Sequence, residues 1–99
     1  MTEPVWFPDT THATQVGRFM RAHGFATFAE LRRRSVDDAE WFWDAVSEHL
    51  RIPWSTPYES VLDTSKGIQW ATWFNGGRTN FAAACLDGPP AHDAVVWEG

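Results

Sequence analysis

The run Trp73-Phe74-Asn75-Gly76-Gly77-Arg78-Thr79-Asn80 is followed by Cys85-Leu86-Asp87 and by Ala94-Val95-Val96-Trp97-Glu98-Gly99, and together they constrain this chain more than any other stretch. Residues 68–74 are rich in aromatics and alternate weakly, which predicts a short strand. Gly76-Gly77 ends it, because two adjacent glycines allow the positive φ that a sharp corner needs. Asn80 then caps a short helix from Phe81 to about Asp87, and Gly88-Pro89-Pro90 stops it. Ala94 to Trp97 reads as a four-residue apolar strand of the kind that a central sheet buries on both faces. A chain closing on such a strand is expected to be part of something larger.

Ninety-nine residues make one domain's worth of chain, enough to bury a core but a marginal one. Apolar residues make up 43%, so composition does not predict disorder. Seven Trp and seven Phe are present. Each can bury roughly 150–250 Å², so this surface needs partners inside the chain or on another body. The net charge of −5 argues against general nucleic-acid binding, which needs a basic face. The one basic cluster, Arg32-Arg33-Arg34, reads as a solvated helix end. A single cysteine, Cys85, rules out an internal disulfide and fits a reducing, cytoplasmic setting. Met1-Thr2-Glu3-Pro4 does not start a signal peptide, and the longest apolar run, Phe81 to Leu86, is far too short for a membrane span.

Four parts are expected: an arm over 1–9, a helical part over 10–51, a connector over 52–67 and a strand-helix-strand part over 68–99. Pro4 and Pro8 keep the arm extended, with Trp6 and Phe7 docking it. Thr10 or Thr11 caps a first helix running to about His23, with Gly24 as its stop. Val16, Phe19, Met20 and His23 fall on one face of it. Thr27 and Glu30 form a capping-box pattern, opening a short helix that carries Leu31 and ends near Arg34. Ser35 is expected to cap a third helix over about 36–51, with an apolar stripe of Ala39, Trp43, Val46 and Leu50 widened by Phe42. Trp41 lies off that stripe and needs a second surface. In the connector, Pro53 and Pro57 break regular structure and Asp63-Thr64-Ser65-Lys66-Gly67 is turn chemistry. The fold class is α+β, mainly helical, with three to four short helices and two short strands belonging to a larger body.

No residue carries a catalytic, cofactor-binding or metal-binding assignment. His12, His23, His49 and His92 lack metal-ligand spacing. Cys85 sits in an apolar helix with no local base and reads as a buried small hydrophobe. Asp37, Asp38, Glu40 and Asp44 cluster where a helix begins, where carboxylates are dipole partners. Gly76-Gly77-Arg78 lacks the remaining residues of a phosphate loop, although Arg78 can reach an anion. Trp70, Trp73, Phe74 and Phe81 form either a stacking platform or, more in keeping with such sets, core or interface packing.

The same residues resemble the N-terminal segment of AMP-forming acyl-CoA synthetases of the acetyl-CoA synthetase type. That family's pattern is roughly Trp-Phe-x-Gly-Gly-x-Leu-Asn-x-x-x-Asn-Cys-Leu-Asp-Arg-His, then an Ala-Ile-Ile-Trp-Glu-Gly-like strand. Trp73, Phe74, Gly76, Gly77, Asn80, Cys85, Leu86 and Asp87 match in register, as do Ala94, Trp97, Glu98 and Gly99, with Val95 and Val96 as similar residues. Upstream, Phe28-Ala29-Glu30-Leu31, Ser35-Val36-Asp37-Asp38 and Glu40-Trp41-Phe42-Trp43 resemble the family's Ser-x-x-Asp-Pro-Glu-x-Phe-Trp helix start. The resemblance covers about residues 15–99. Thr79 stands where Leu is usual, Ala84 where Asn is usual, and Gly88-Pro89-Pro90 where Arg-His follows, which points to a divergent subgroup. Gly17 to Gly24 is similar to acetoacetyl-CoA synthetase relatives.

The resemblance implies a parent enzyme that joins a carboxylic acid to CoA through an acyl-adenylate, using ATP, Mg²⁺ and CoA. The family's ATP loop, its adenine- and Mg²⁺-binding motifs and its catalytic Lys are absent from these residues, so the chain is expected to be a catalytically incomplete structural region. Its partner is the rest of the parent synthetase, against which Trp41, Trp70, Trp73 and Trp97 pack. The alternative is a free-standing acidic helical protein-interaction module; a small-ligand binder built on the Trp cluster is a third reading. Self-association of the isolated chain is expected from Ala94–Trp97 and the uncovered Trp faces.

Overall fold

The computed structural model describes Glu3 and residues 13–99. The expected arm over 1–9, the caps at Thr10 or Thr11, and His12 lie outside the described residues, apart from Glu3. Among the described residues the fold is α+β and mainly helical, with four α-helices and four short strands. The chain divides into two compact units, Met1–His49 and Leu50–Gly99.

Three helices build the first unit. Helix α1 (Gln15–Ala22) is capped by Thr14, whose hydroxyl accepts from the Gly17 N–H at 2.9 Å. Gly24 ends it at φ +74°. The Gly24 N–H donates to the Arg21 carbonyl and the Phe25 N–H to that of Met20, at 3.3 and 2.9 Å. This pair of bonds is a Schellman stop, and it returns Phe25 to the apolar side of the helix. Helix α2 (Phe28–Asp37) opens with the expected capping box: Thr27 Oγ1 accepts from the Glu30 N–H, and the Glu30 carboxylate accepts from the N–H groups of Thr27 and Ala26.

The junction to α3 (Ala39–His49) differs from the expectation. Ser35 is not a cap but lies inside α2, its hydroxyl donating to the Arg32 carbonyl at 2.7 Å. Asp38 caps α3, its Oδ1 accepting from the Trp41 N–H at 3.2 Å. Asp is as good a cap as Ser, and choosing Asp38 lets α2 continue for one more turn.

The core of this unit is Phe19, Met20, Leu31 and Ala45, with Phe25, Trp41, Phe42 and Val46 packed against it. The inward face of α3 is therefore rotated from the expected stripe. Trp43 and Leu50 are 42% and 57% exposed, whereas Trp41 turns inward, its ring 6.3 Å from Phe19 and 5.7 Å from Phe25. The second surface that Trp41 needed is supplied by α1 and the Phe25 turn. On α1, Phe19 and Met20 are buried, while Val16 remains 47% exposed.

The second unit is a nested antiparallel ribbon. Strand β1 (Trp54–Thr56) pairs with β4 (Arg78–Thr79), and β2 (Ser60–Asp63) pairs with β3 (Thr72–Asn75). Residues 52–67, expected to be connector, thus hold two strands. Each is short and lies at a sheet edge, where flanking Pro53 and Pro57 are tolerated. The Asp63–Gly67 turn forms as its chemistry predicts: Asp63 Oδ1 accepts from the Ser65 N–H at 2.9 Å, and the Thr64 carbonyl accepts from the Gly67 N–H at 2.9 Å. The strand expected over 68–74 begins instead as a 3₁₀ turn (Ile68–Trp70) before β3.

Asn80 caps α4 (Phe81–Leu86), its Oδ1 accepting from the Ala83 N–H at 3.1 Å. The strand expected at Ala94–Trp97 is not formed: these residues belong to neither sheet, and Val95, Val96 and Trp97 are 83–84% exposed. A strand needs a neighbour for its N–H and C=O groups, and neither two-stranded sheet pairs with this segment.

Candidate functional site

The built feature of the second unit is a corner where two strand pairs meet a glycine. Phe74 takes φ +50° and Gly76 φ +78°. The Gly77 N–H then closes onto the Phe74 carbonyl at 3.0 Å. This turn draws three rings into contact, with centroids 5.0 Å apart for Trp54–Tyr58, 5.3 Å for Trp54–Phe74 and 5.1 Å for Tyr58–Phe74. Gly77 lies beneath them. A Cβ there would sit 2.8 Å from the Trp54 ring and 3.0 Å from Tyr58 Cβ, so close approach requires glycine. The corner is cross-tied by the Ser55 hydroxyl donating to the Arg78 carbonyl and the Thr79 hydroxyl donating to the Pro53 carbonyl, both at 3.0 Å.

That geometry bears on the aromatic set proposed from sequence. Trp70, Trp73, Phe74 and Phe81 are not gathered into one platform. Phe74 joins Trp54 and Tyr58, while Trp70 is 68% and Phe81 82% exposed. Trp73 keeps contact with Phe74 at 6.4 Å. Trp54 and Tyr58 escaped sequence reasoning because they lie in the stretch taken for connector; the signal for them was the Gly-Gly pair, which implies a bulky group overhead.

At the corner the Gly77 N–H is already bonded within the turn and is not free to meet an anion, whereas an anion site needs several free N–H groups converging on one point.

In the first unit, Arg34 lies 4.4 Å above the Trp41 ring and pairs with Asp38 at 3.3 Å. Arg32 and Arg33 line a groove of about 450 Å³ on α2 with Phe28, Ala29, Val36 and Asp37. A smaller cavity of about 70 Å³ is lined by Asp63, Ser65, Lys66, Trp70 and Thr72. The Ser65 backbone N–H, then the Ser65 hydroxyl, hold the Asp63 carboxyl below its ordinary value.

Of the carboxylates clustered at the helix start, Asp37 ends α2, Asp38 caps α3, Glu40 lies in the first turn of α3 and Asp44 lies further along the same helix. His23 and His49 both pack on Phe19, at 4.5 and 5.4 Å, and His49 Nε2 lies 3.3 Å from Gln15 Oε1. Cys85 is exposed, not buried, because nothing described covers α4. Among the described residues, no three His, Cys, Asp or Glu side chains come together as a metal site, and no helix is long and apolar enough to cross a membrane.

Comparison with known proteins places this corner in a shared segment. The family model described as acetyl-coenzyme A synthetase N-terminus matches residues 28–85, which takes in α2, α3, the ribbon and nearly all of α4. The acetyl-coenzyme A synthetase of Methylorubrum extorquens is 42% identical over 81 residues, covering 75% of this chain and 12% of that protein. The acetoacetyl-CoA synthetase of Macaca fascicularis is 38% identical over 89 residues, covering 83% and 13%. The acetyl-coenzyme A synthetase of Mycobacterium tuberculosis is 40% identical over 76 residues, covering 72% and 11%. No solved structure matches. The chain spans about an eighth of the length of these relatives. With its capping box, Asn80-capped helix and Gly76-Gly77 corner all inside or beside the matched span, this chain belongs to the acetyl-coenzyme A synthetase N-terminus family.

Proposed function

We propose that the chain serves as the N-terminal structural region of an AMP-forming acyl-CoA synthetase. In that parent a carboxylic acid attacks ATP to give an acyl-adenylate and pyrophosphate, and the CoA thiol then displaces AMP. ATP, Mg²⁺ and CoA would belong to the remainder of such an enzyme, because the resemblance places its ATP loop, its adenine- and Mg²⁺-binding motifs and its catalytic Lys beyond these residues. No residue of this chain is given a catalytic role. The observation that carries the reading is the continuous family match over residues 28–85, which spans both units.

The partner is the rest of the synthetase. Ile68, Trp70, Leu86, Val95, Val96 and Trp97, each between 68% and 84% exposed, are the surface it would cover. The same surface leads the isolated chain to self-associate, which light scattering across a concentration series reads directly. A cytoplasmic setting accords with the single cysteine.

A free-standing protein-interaction module is the second reading. It is favoured by the first unit's own core of Phe19, Met20, Leu31 and Ala45. A graft separates the two. Residues 15–99 replace the matching segment of the M. extorquens synthetase, and acid-dependent ATP–pyrophosphate exchange is measured. The structural reading expects exchange well above that of the same enzyme with the segment deleted. A soluble, folded graft with no exchange supports the module instead.

A further inference from the structure

We infer that Asn75-Gly76 is a self-modifying site: the Gly76 nitrogen closes on the Asn75 side chain to a succinimide, whose hydrolysis to an isoaspartyl linkage opens the Gly77 corner. The inference stands on the corner alone and does not need the synthetase reading. A backbone nitrogen attacks the preceding side-chain amide only where nothing crowds it, and glycine, with no Cβ, crowds it least. Asn75 and Asn80 are the asparagines of the chain, and the fold treats them differently. Asn80 is followed by Phe81, and its Oδ1 is committed to the Ala83 N–H in the cap of α4. Asn75 is followed by Gly76, which is exposed, and no hydrogen bond among the described residues occupies the Gly76 N–H.

The chemistry balances with water alone. A bond forms between the Gly76 nitrogen and Asn75 Cγ, the Cγ–Nδ2 bond breaks, and ammonia leaves with the Gly76 amide proton. Water then adds to one of the two imide carbonyls. Addition at Cγ restores the ordinary chain with an aspartyl side chain. Addition at the main-chain carbonyl leaves the backbone running through Cβ and Cγ, which is the isoaspartyl form.

The position of Asn75 lets the reacting atoms meet. It is the last residue of β3, paired with Ser60 at the end of a two-stranded ribbon, so it can fray while Trp73 stays opposite Leu62. Two bonds hold it besides that pairing: Nδ2 donates to the exposed Ser60 Oγ at 3.1 Å, and the Glu59 N–H donates to its carbonyl at 2.8 Å. Phe74 just before it sits at φ +50°, a left-handed conformation that costs about 1–3 kcal/mol in a bulky residue. Local opening therefore releases strain. The isoaspartyl linkage then adds one atom to the ring that the Gly77 N–H closes on the Phe74 carbonyl. Gly77 lies so close beneath Trp54 and Tyr58 that its displacement is passed to the three rings. The product also adds a negative charge to a turn that Glu59 already flanks, since a Cβ on Gly76 would meet Glu59 Cδ at 3.5 Å.

The 99-residue chain is incubated warm at mildly alkaline pH and mapped by peptide mass spectrometry. An isoaspartyl methyltransferase with S-adenosylmethionine labels the rearranged product. The expected result is conversion at Asn75 at least about tenfold faster than at Asn80, where Phe81 crowds the nitrogen, with methyl label on the Asn75 peptide. The near-UV signal of the Trp54–Tyr58–Phe74 cluster falls in step, while the far-UV helical signal holds. Asn75→Gln, which requires a slower six-membered closure, is expected to keep the near-UV signal over the same period. Asn75→Asp brings the charge without the extra backbone atom and is expected to keep it as well. Conversion at Asn75 no faster than at Asn80 overturns the inference. So does conversion that leaves the near-UV signal unchanged, loss of that signal in the aged Asn75→Gln chain, or its absence in the fresh Asn75→Asp chain.

Discussion

Residues 13–49 and residues 50–99 are both rich in aromatics, but they use them differently. In the first unit the aromatic rings converge: Phe19 meets His23, Trp41, Phe42 and His49, and Trp41 is covered by Phe25 and Arg34. In the second, one triad forms at Gly77 and the one buried large apolar side chain is Val61, while Ile68, Trp70, Phe81, Leu86 and Trp97 face outward. The contrast teaches that aromatic content does not by itself build a core. Helices with a single apolar face can close on one another, whereas a narrow two-stranded ribbon has too little area on either face to cover its own side chains.

The comparison breaks first at Phe19. Phe19→Ala removes the ring on which α1 and α3 meet, and should cost about 3–4 kcal/mol. For a unit this small that is expected to unfold the helices, read as loss of the far-UV helical signal, with the Trp54 triad still giving near-UV ellipticity. Loss of both signals together would mean that the two units fold as one. Gly77→Ala tests the other side. Its Cβ would meet the Trp54 ring and the Tyr58 Cβ, an overpacking expected to cost about 1–3 kcal/mol and to alter the triad's near-UV signal without affecting α2 and α3.

Thr27→Ala removes one half of the capping box and should lower the stability of the first unit by about 1 kcal/mol in urea denaturation. The smallest effect belongs to Asp63. Its carboxyl is held below the ordinary range by the Ser65 N–H and then the Ser65 hydroxyl. Its support for the β2–β3 turn is therefore complete above the ordinary carboxylate value of about 3.9 and lost as pH falls through the lower folded value. The protection of the Ser65 amide, its exchange rate relative to the intrinsic rate at each pH, should fall on acidification over that window, and Asp63→Asn should flatten the dependence.

Much of this architecture was legible in local chemistry. Thr27 with Glu30, Gly24 as a stop, Asn80 as a cap and the Gly76-Gly77 corner each depend on a few neighbouring residues, and each formed. What failed depended on distant partners. Ser35 and Asp38 are both good caps, and only the packing of α2 on α3 decides for Asp38. Trp41 looked misplaced until α1 and Phe25 were there to receive it. The β1 and β2 strands hid behind Pro53 and Pro57 because pairing with residues nine to twenty-five positions away holds them. Ala94–Trp97 has the composition of a strand but no pairing partner here. The corner at Gly77 was half legible: the glycines announced it, while Trp54 and Tyr58 came from across the ribbon.

In the proposed role the chain is a structural region of a synthetase and carries no adenylation chemistry of its own. Acid-dependent ATP–pyrophosphate exchange on the purified 99-residue chain, with the M. extorquens synthetase as the positive control, tests that most directly. The predicted result is exchange indistinguishable from the no-enzyme background with any short carboxylic acid supplied. Exchange that copurifies with the chain and depends on both the acid and Mg²⁺ would contradict it.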